Sequence, residues 1–166
     1  MKKWRQYGWG LLGFLVLFGI DQWTKWLAYM TLRGRGEVPV WGDVFVLQYL
    51  ENRGAAFGIL QNQRIFLILL TVIILAALVF VYHKIPAGKK FHVLRGLDVL
   101  LAAGAVGNLA DRLFRGYVID FFYFKWIHFP IFNVADCYVV IAAIVSVLLI
   151  GFYYQEDDFV VRSDQK

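Results

Sequence analysis

Cysteine, histidine and charge are all scarce in this sequence. A single cysteine, Cys137, excludes an intramolecular disulfide, and histidines at 83, 92 and 128 offer no zinc-ligand spacing. Gly-x-Ser-x-Gly does not occur, and Ser146 has no basic neighbour, so serine-nucleophile chemistry has little support. Only 17% of the residues are charged, against about 25% in soluble domains. Hydrophobic residues make up 60% and aromatics 18%, with a mean hydropathy of +0.60. That leaves too little polar surface for a water-facing globule, and a bilayer is the expected solvent. There is no nucleotide-binding glycine loop and no internal repeat. The net charge of +5 comes from basic residues at the borders of apolar runs rather than on one face, so no nucleic-acid partner is expected.

A membrane span needs about 20 mostly apolar residues to cross a core about 30 Å thick. Four segments qualify, at about 9–29, 65–82, 94–114 and 134–154, in one integral membrane domain over 1–166. The expected fold is a membrane all-α protein of four transmembrane helices with a small extracytoplasmic β-sheet between the first two. Segment 65–82 holds 18 residues without a charge, and 137–155 holds 19. The third is the polar outlier, with an uncharged run of 12 before Asp111 and Arg112. The start Met1-Lys2-Lys3-Trp4-Arg5 resembles a signal peptide, but the apolar run is long and lacks a small-x-small site, so it reads as an uncleaved first span. Lys and Arg are denser in 1–8, 83–96 and 155–166 than in 30–64 and 112–133, which favours both termini inside.

The outer connections, 30–64 and 115–133, carry the unusual local patterns. Glu37-Val38-Pro39-Val40-Trp41 and the β-branched, aromatic run 44–50 flank Gly42-Asp43, a hairpin signal. After it, Asn52-Arg53-Gly54-Ala55-Ala56-Phe57-Gly58 has the small residues of a loop in close contact with something else.

Polar groups inside a bilayer are costly unless paired or hydrated, which makes them functional candidates. Here they gather at one depth: Asp21 and Lys25 near the outer end of the first span, Asn108, Asp111 and Arg112 near that of the third, and Asn133 and Asp136 at the start of the fourth. Asp21 and Lys25 at i,i+4 could simply neutralise each other. Asp111 and Arg112 could be a helix-end ion cluster, and Asn133 and Asp136 a cap with an acidic first turn. Asp120, in Val118-Ile119-Asp120-Phe121-Phe122, has no cation within two residues and resists a scaffold reading. An outer hairpin between spans three and four would bring Asp120 and Asp136 together. Two close carboxylates in a low dielectric cannot both ionise easily, so one holds a proton while the other activates water. Cys137 faces about 100° away from Asp136 on a helix and reads as a small buried hydrophobe.

Four ordered blocks resemble the bacterial lipoprotein signal peptidases, the signal peptidase II family. They are Asp21-Gln22-Trp23-Thr24-Lys25, Asn52-Arg53-Gly54-Ala55-Ala56-Phe57, the run Gly-Ala-Val-Gly-Asn-Leu-Ala-Asp-Arg-Leu-Phe-Arg-Gly-Tyr-Val-Ile-Asp-Phe over 104–121, and Phe132-Asn133-Val134-Ala135-Asp136. The resemblance implies an intramembrane aspartyl endopeptidase that cuts diacylglyceryl-modified prolipoproteins N-terminal to the lipidated cysteine. It implies Asp120 and Asp136 as the catalytic dyad, with Asp21, Lys25, Asn52, Gly54, Asn108, Asp111, Arg112 and Asn133 supporting it or the substrate. It also implies no metal or organic cofactor, a monomer surrounded by membrane lipids in the bacterial inner membrane, and a site at the outer leaflet under an extracytoplasmic cradle. The alternative is a small transporter or proton conductor using the same aspartates. A conduction path needs polar groups at several depths, whereas 65–82 and the inner half of the fourth span are almost wholly apolar. A structural subunit would tolerate conservative changes at the aspartates. The Gly-x-Gly-Asp signature of presenilin-like proteases is absent, since Asp111 follows Asn108-Leu109-Ala110.

Overall fold

The computed structural model describes residues 3–55, 59–86 and 88–159. Helix α1 runs over Lys3–Leu32, and strands β1 (Val38–Trp41) and β2 (Phe45–Asn52) follow it. Next come α2 (Arg64–Lys84), α3 (His92–Phe114), β3 (Val118–Tyr123), α4 (Val134–Phe152) and the short α5 (Glu156–Phe159). Among the described residues, three helical segments are long and apolar enough to cross a membrane: α2, α3 with the 3-10 turn before it (Lys89–Phe114), and α4. Helix α1 has the length, 30 residues, but its second half carries Asp21, Gln22, Thr24 and Lys25, so its apolarity falls short of the other three.

The hairpin forms at the expected place, with Gly42 at φ +49° between antiparallel β1 and β2, but its connection is three residues, Gly42 to Val44, rather than two, since Trp41 pairs with Phe45. The expected sheet is incomplete in one respect. A third strand, β3, comes from the connection between α3 and α4 and pairs antiparallel with β2, giving the order β1-β2-β3. All four residues 118–121, Val-Ile-Asp-Phe, are buried, so the segment lacks the alternation that marks a half-exposed strand. Ile119 and Phe121 pack with Ala28 and Leu32 of α1, seating the sheet on the end of that helix.

Backbone pairing then fixes the next element. Phe122 and Phe132 form an isolated antiparallel bridge, with Phe122 N donating to Phe132 O at 2.8 Å and Phe132 N to Phe122 O at 3.0 Å. The rings of Phe45, Phe122, Phe124, Phe129 and Phe132 pack in tilted and edge-on contacts around the bridge. Asp120 lies two residues before one bridge residue and Asn133 immediately after the other, so closing the bridge draws β3 onto the first turn of α4.

Helix α3 packs against both α1 and α4, and Gly107 permits the close approach. A Cβ there would collide with the Asp21 carboxylate. In a free helix Gly→Ala gains about 1 kcal/mol. For Gly107→Ala we expect instead a net loss of about 1–3 kcal/mol from overpacking, whereas Gly19→Ala, with nothing within 4 Å of its Cβ, should raise the melting temperature in detergent. Equal stabilisation by both substitutions would contradict this packing.

Candidate active site

The site is built around a lysine. Lys25 is fully buried, and its Nζ lies 2.9 Å from Asp21 Oδ2, 3.2 Å from Asp111 Oδ2 and 2.8 Å from Asn108 Oδ1. A buried ammonium is tolerated only when paired and hydrogen-bonded, and these three oxygens meet that need. Each partner holds something else as well. Asp21 Oδ1 accepts from Ala135 N at 3.0 Å, in the first turn of α4. Asp111 Oδ2 accepts from Ile119 N at 3.2 Å, next to Asp120 on β3. The i,i+4 pairing of Asp21 with Lys25 is therefore present, but it is one part of a junction of four elements.

Around that junction, three asparagines aim their amides at the two candidate acids. Lys25 can only donate, so the atom of Asn108 facing it is Oδ1, and Nδ2 turns to Asp136 Oδ1 at 2.8 Å. Asn133 caps α4: its side-chain oxygen accepts from Asp136 N at 3.1 Å, and Asp136 Oδ2 accepts from Asn133 N at 3.0 Å. With its oxygen thus committed, Asn133 Nδ2 donates to Asp120 Oδ1 at 2.6 Å and to Asn108 Oδ1 at 3.1 Å. Asn52 Oδ1 accepts from Gly54 N at 2.9 Å, so its Nδ2 reaches Asp120 Oδ2 at 2.9 Å. Every carboxylate oxygen of Asp120 and Asp136 has an N–H donor, and the cap and site readings of Asn133 are both realised.

Asp120 is 1% exposed, and its carboxyl is pushed up to about 7. Burial is the chief cause and the neighbouring charge of Asp136 the second, opposed by the amides of Asn52 and Asn133 and by Lys25. Such a group can hold a proton near neutral pH. Both aspartates line one cavity of about 780 Å³, whose wall continues down α4 over the apolar Val139, Val140 and Ile141. Asn52, Asn108 and Arg112 share its polar end.

All eight supporting positions expected from the sequence lie in or beside this cluster. Their roles differ in two places from simple helix-end pairing. Arg112 makes no ion pair with Asp111 among the described residues. It donates instead to Gly54 O at 3.0 Å and to Asn108 O at 3.4 Å, tying the loop after β2 to α3. Besides Lys25, the cation that pairs with Asp111 is Arg115, at i,i+4, a spacing visible in the sequence but not exploited there. Arg64 was also missed: it donates to Arg112 O at 2.7 Å and Leu113 O at 3.0 Å, satisfying carbonyls at the end of α3. Gly54 is required by close approach, since a Cβ would sit 2.5 Å from Ile59 O. Ala56, Phe57 and Gly58, the end of that block, lie outside the described residues.

Comparison with known proteins gives a consistent picture. The family described as signal peptidase (SPase) II matches residues 13–152. The chain is 41% identical over 143 residues to a lipoprotein signal peptidase of Caldanaerobacter subterraneus subsp. tengcongensis, covering 86% of this chain and 94% of that one. It is 40% identical to a lipoprotein signal peptidase of Brevibacillus brevis, with coverage of 87% and 95%. A bacterial membrane enzyme solved by the in meso method superposes with a TM-score of 0.77 at 29% identity, over 96% of this chain and 94% of that chain. A second such structure gives 0.75 at 30% identity, over 89% and 95%.

The raised carboxyl of Asp120 has a consequence for stability. An acid that binds its proton more tightly folded than unfolded lowers stability as pH rises from the unfolded value, about 4, to the folded one. Asp120→Asn should therefore leave stability almost unchanged at about pH 4 and raise it by about 1–3 kcal/mol at about pH 8. Thermal unfolding of both proteins across that range reads the difference, and a gap independent of pH would contradict it.

Proposed function

The chain belongs to the signal peptidase II family, and on that premise we propose that Asp120 and Asp136 are the catalytic pair of its aspartic-type cleavage of signal peptides from prolipoproteins. The observation that carries the assignment is the convergence of both carboxyls, each oxygen held by an N–H, at the polar end of one apolar-walled cavity. Asp120, shifted up to about 7 by burial and by Asp136, holds the proton. Asp136, fixed by Asn108 and the backbone of Asn133, takes a proton from water. The resulting hydroxide adds to the scissile carbonyl as Asp120 protonates its oxygen, and the tetrahedral species collapses with proton transfer to the leaving amine.

The remaining assignments follow from where polar groups lie along the helices. We read α1 as a fourth span, because Leu11, Leu12, Leu15, Val16 and Ile20 face outward as they would toward lipid. The basic segments flanking the α2–α3 turn and the N-terminus favour a cytoplasmic location for both termini of a bacterial inner-membrane protein. The aspartates then lie at the outer leaflet, beneath the β1–β3 sheet. A diacylglyceryl-modified cysteine held among outer-leaflet lipids would present its preceding peptide bond at that depth. The apolar wall of α4 suits its acyl chains and the signal helix. One chain supplies both acids, so a monomer suffices, and two carboxyls activate water with no cofactor.

Cleavage of a prolipoprotein by the purified chain, followed by gel shift, tests this reading. We expect the lipidated substrate to be cut in preference to the unmodified one, and Asp120→Asn and Asp136→Asn each to lose at least about a thousandfold in rate while remaining folded. Normal activity in either variant would remove the dyad. Ion flux through reconstituted vesicles, lost in the same variants without any cleavage by the intact chain, would favour a conducting protein.

A further inference from the structure

The end of the helix bundle away from the two aspartates holds a second cavity, of about 460 Å³, between α1, α2 and α3. Gln6, Gly10 and Gly13 of α1, Tyr82 of α2, and Arg95 and Gly96 of α3 contribute to its walls. Arg95 is only 7% exposed. Its Nη2 donates to Ile85 O at 3.0 Å and to Pro86 O, but its Nη1 is buried and meets no acceptor among the described residues. Asp98, one helical turn on, does not partner that nitrogen. A buried guanidinium donor left unanswered is costly, and an anion beside it removes the cost.

The rest of the cavity wall fits a chain rather than a small ion. A Cβ on Gly96 would meet nothing within 4 Å, and one on Gly13 only Val99, at 3.8 Å. The slot between them continues past Leu17 and Val99 into the apolar middle of the bundle. Exposed Arg5, Lys84 and Lys89 lie at the same end of the helices. We propose that this cavity binds one anionic glycerophospholipid, with its phosphate on Arg95 and one acyl chain along the Gly13–Gly96 slot. Guanidinium matches phosphate in a forked, charge-assisted geometry, and the surrounding cations favour a lipid of net negative charge over a zwitterionic one. The leaflet, the cytoplasmic one, rests on the spanning arrangement proposed above; occupancy of the cavity does not.

Native mass spectrometry of the full chain in detergent, titrated with phosphatidylglycerol or phosphatidylcholine of identical acyl chains, tests the proposal. We expect one phosphatidylglycerol to be retained about fivefold more tightly than phosphatidylcholine. Arg95→Gln should abolish that preference, and Gly96→Leu, which fills the slot, should weaken retention of phosphatidylglycerol by a similar factor. Arg95 also holds the Ile85 and Pro86 carbonyls, so the intact-protein comparison and Gly96→Leu carry the test if Arg95→Gln fails to fold. Equal retention of the two lipids by the intact chain, or unchanged retention in folded Gly96→Leu, would overturn the proposal. Millimolar inorganic phosphate should leave retention unchanged; displacement by phosphate would assign the site to the free anion and overturn the lipid. The readout is lipid retention, so it stands or falls apart from any result on cleavage.

Discussion

A single buried ammonium organises this protein. Lys25 has no access to water, and its charge is tolerable only because Asp21 and Asp111 close on it and Asn108 accepts its third proton. Removing one partner of a buried pair costs about 3–5 kcal/mol, since the other charge is left bare. The constraint therefore acts in every direction at once. Helix α1 must bring Asp21 to the first turn of α4, α3 must bring Asp111 to the backbone of β3, and Gly107 must lack a side chain for α1 and α3 to close.

The same constraint reaches the acids by way of hydrogen-bond direction. An ammonium cannot accept, so it settles which end of the Asn108 amide faces Asp136. Backbone N–H groups settle the other two, Asp136 N for Asn133 and Gly54 N for Asn52. Three amides, each with its oxygen already committed, thus present nitrogen to the carboxyls. Those of Asn52 and Asn133 favour the charged form of Asp120, while burial and Asp136 oppose it. Both acids are held by two N–H donors, and the balance at Asp120 leaves it able to keep a proton near neutral pH, as the proposed hydrolysis by paired carboxyls requires.

Much of this was legible in the sequence because hydrophobic continuity makes charged residues conspicuous. Asp21, Lys25, Asn108, Asp111, Asn133 and Asp136 stand out against apolar surroundings, and their common depth follows from counting along the helices. Asp120 stood out because no cation neighbours it. The third strand did not, since Val118–Tyr123 begins with four consecutive buried residues and has no alternation to mark it. Its pairing depends on a partner, β2, far away in the chain. Of the two readings open for Arg112, a helix-end pair with Asp111 or support of the site, the pair is the one that does not form, because neighbouring residues on a helix point about 100° apart. Its side chain reaches Gly54 across the site, and Arg115, one turn further on, takes the carboxylate. Helix α1 also stands apart, because the residues that build the junction are the ones that lower its apolarity.

A double-mutant cycle on cleavage rate measures directly whether Lys25 serves the acids through Asn108. Lys25→Met, Asn108→Ala and the combination would be compared with the intact chain under conditions where all four remain folded. If Lys25 acts by orienting Asn108, each single change slows cleavage and the double variant is little slower than the worse of the two. If the two losses multiply, or if Lys25→Met cleaves at the normal rate, the ammonium supports the fold alone and the account of how the dyad is held is wrong.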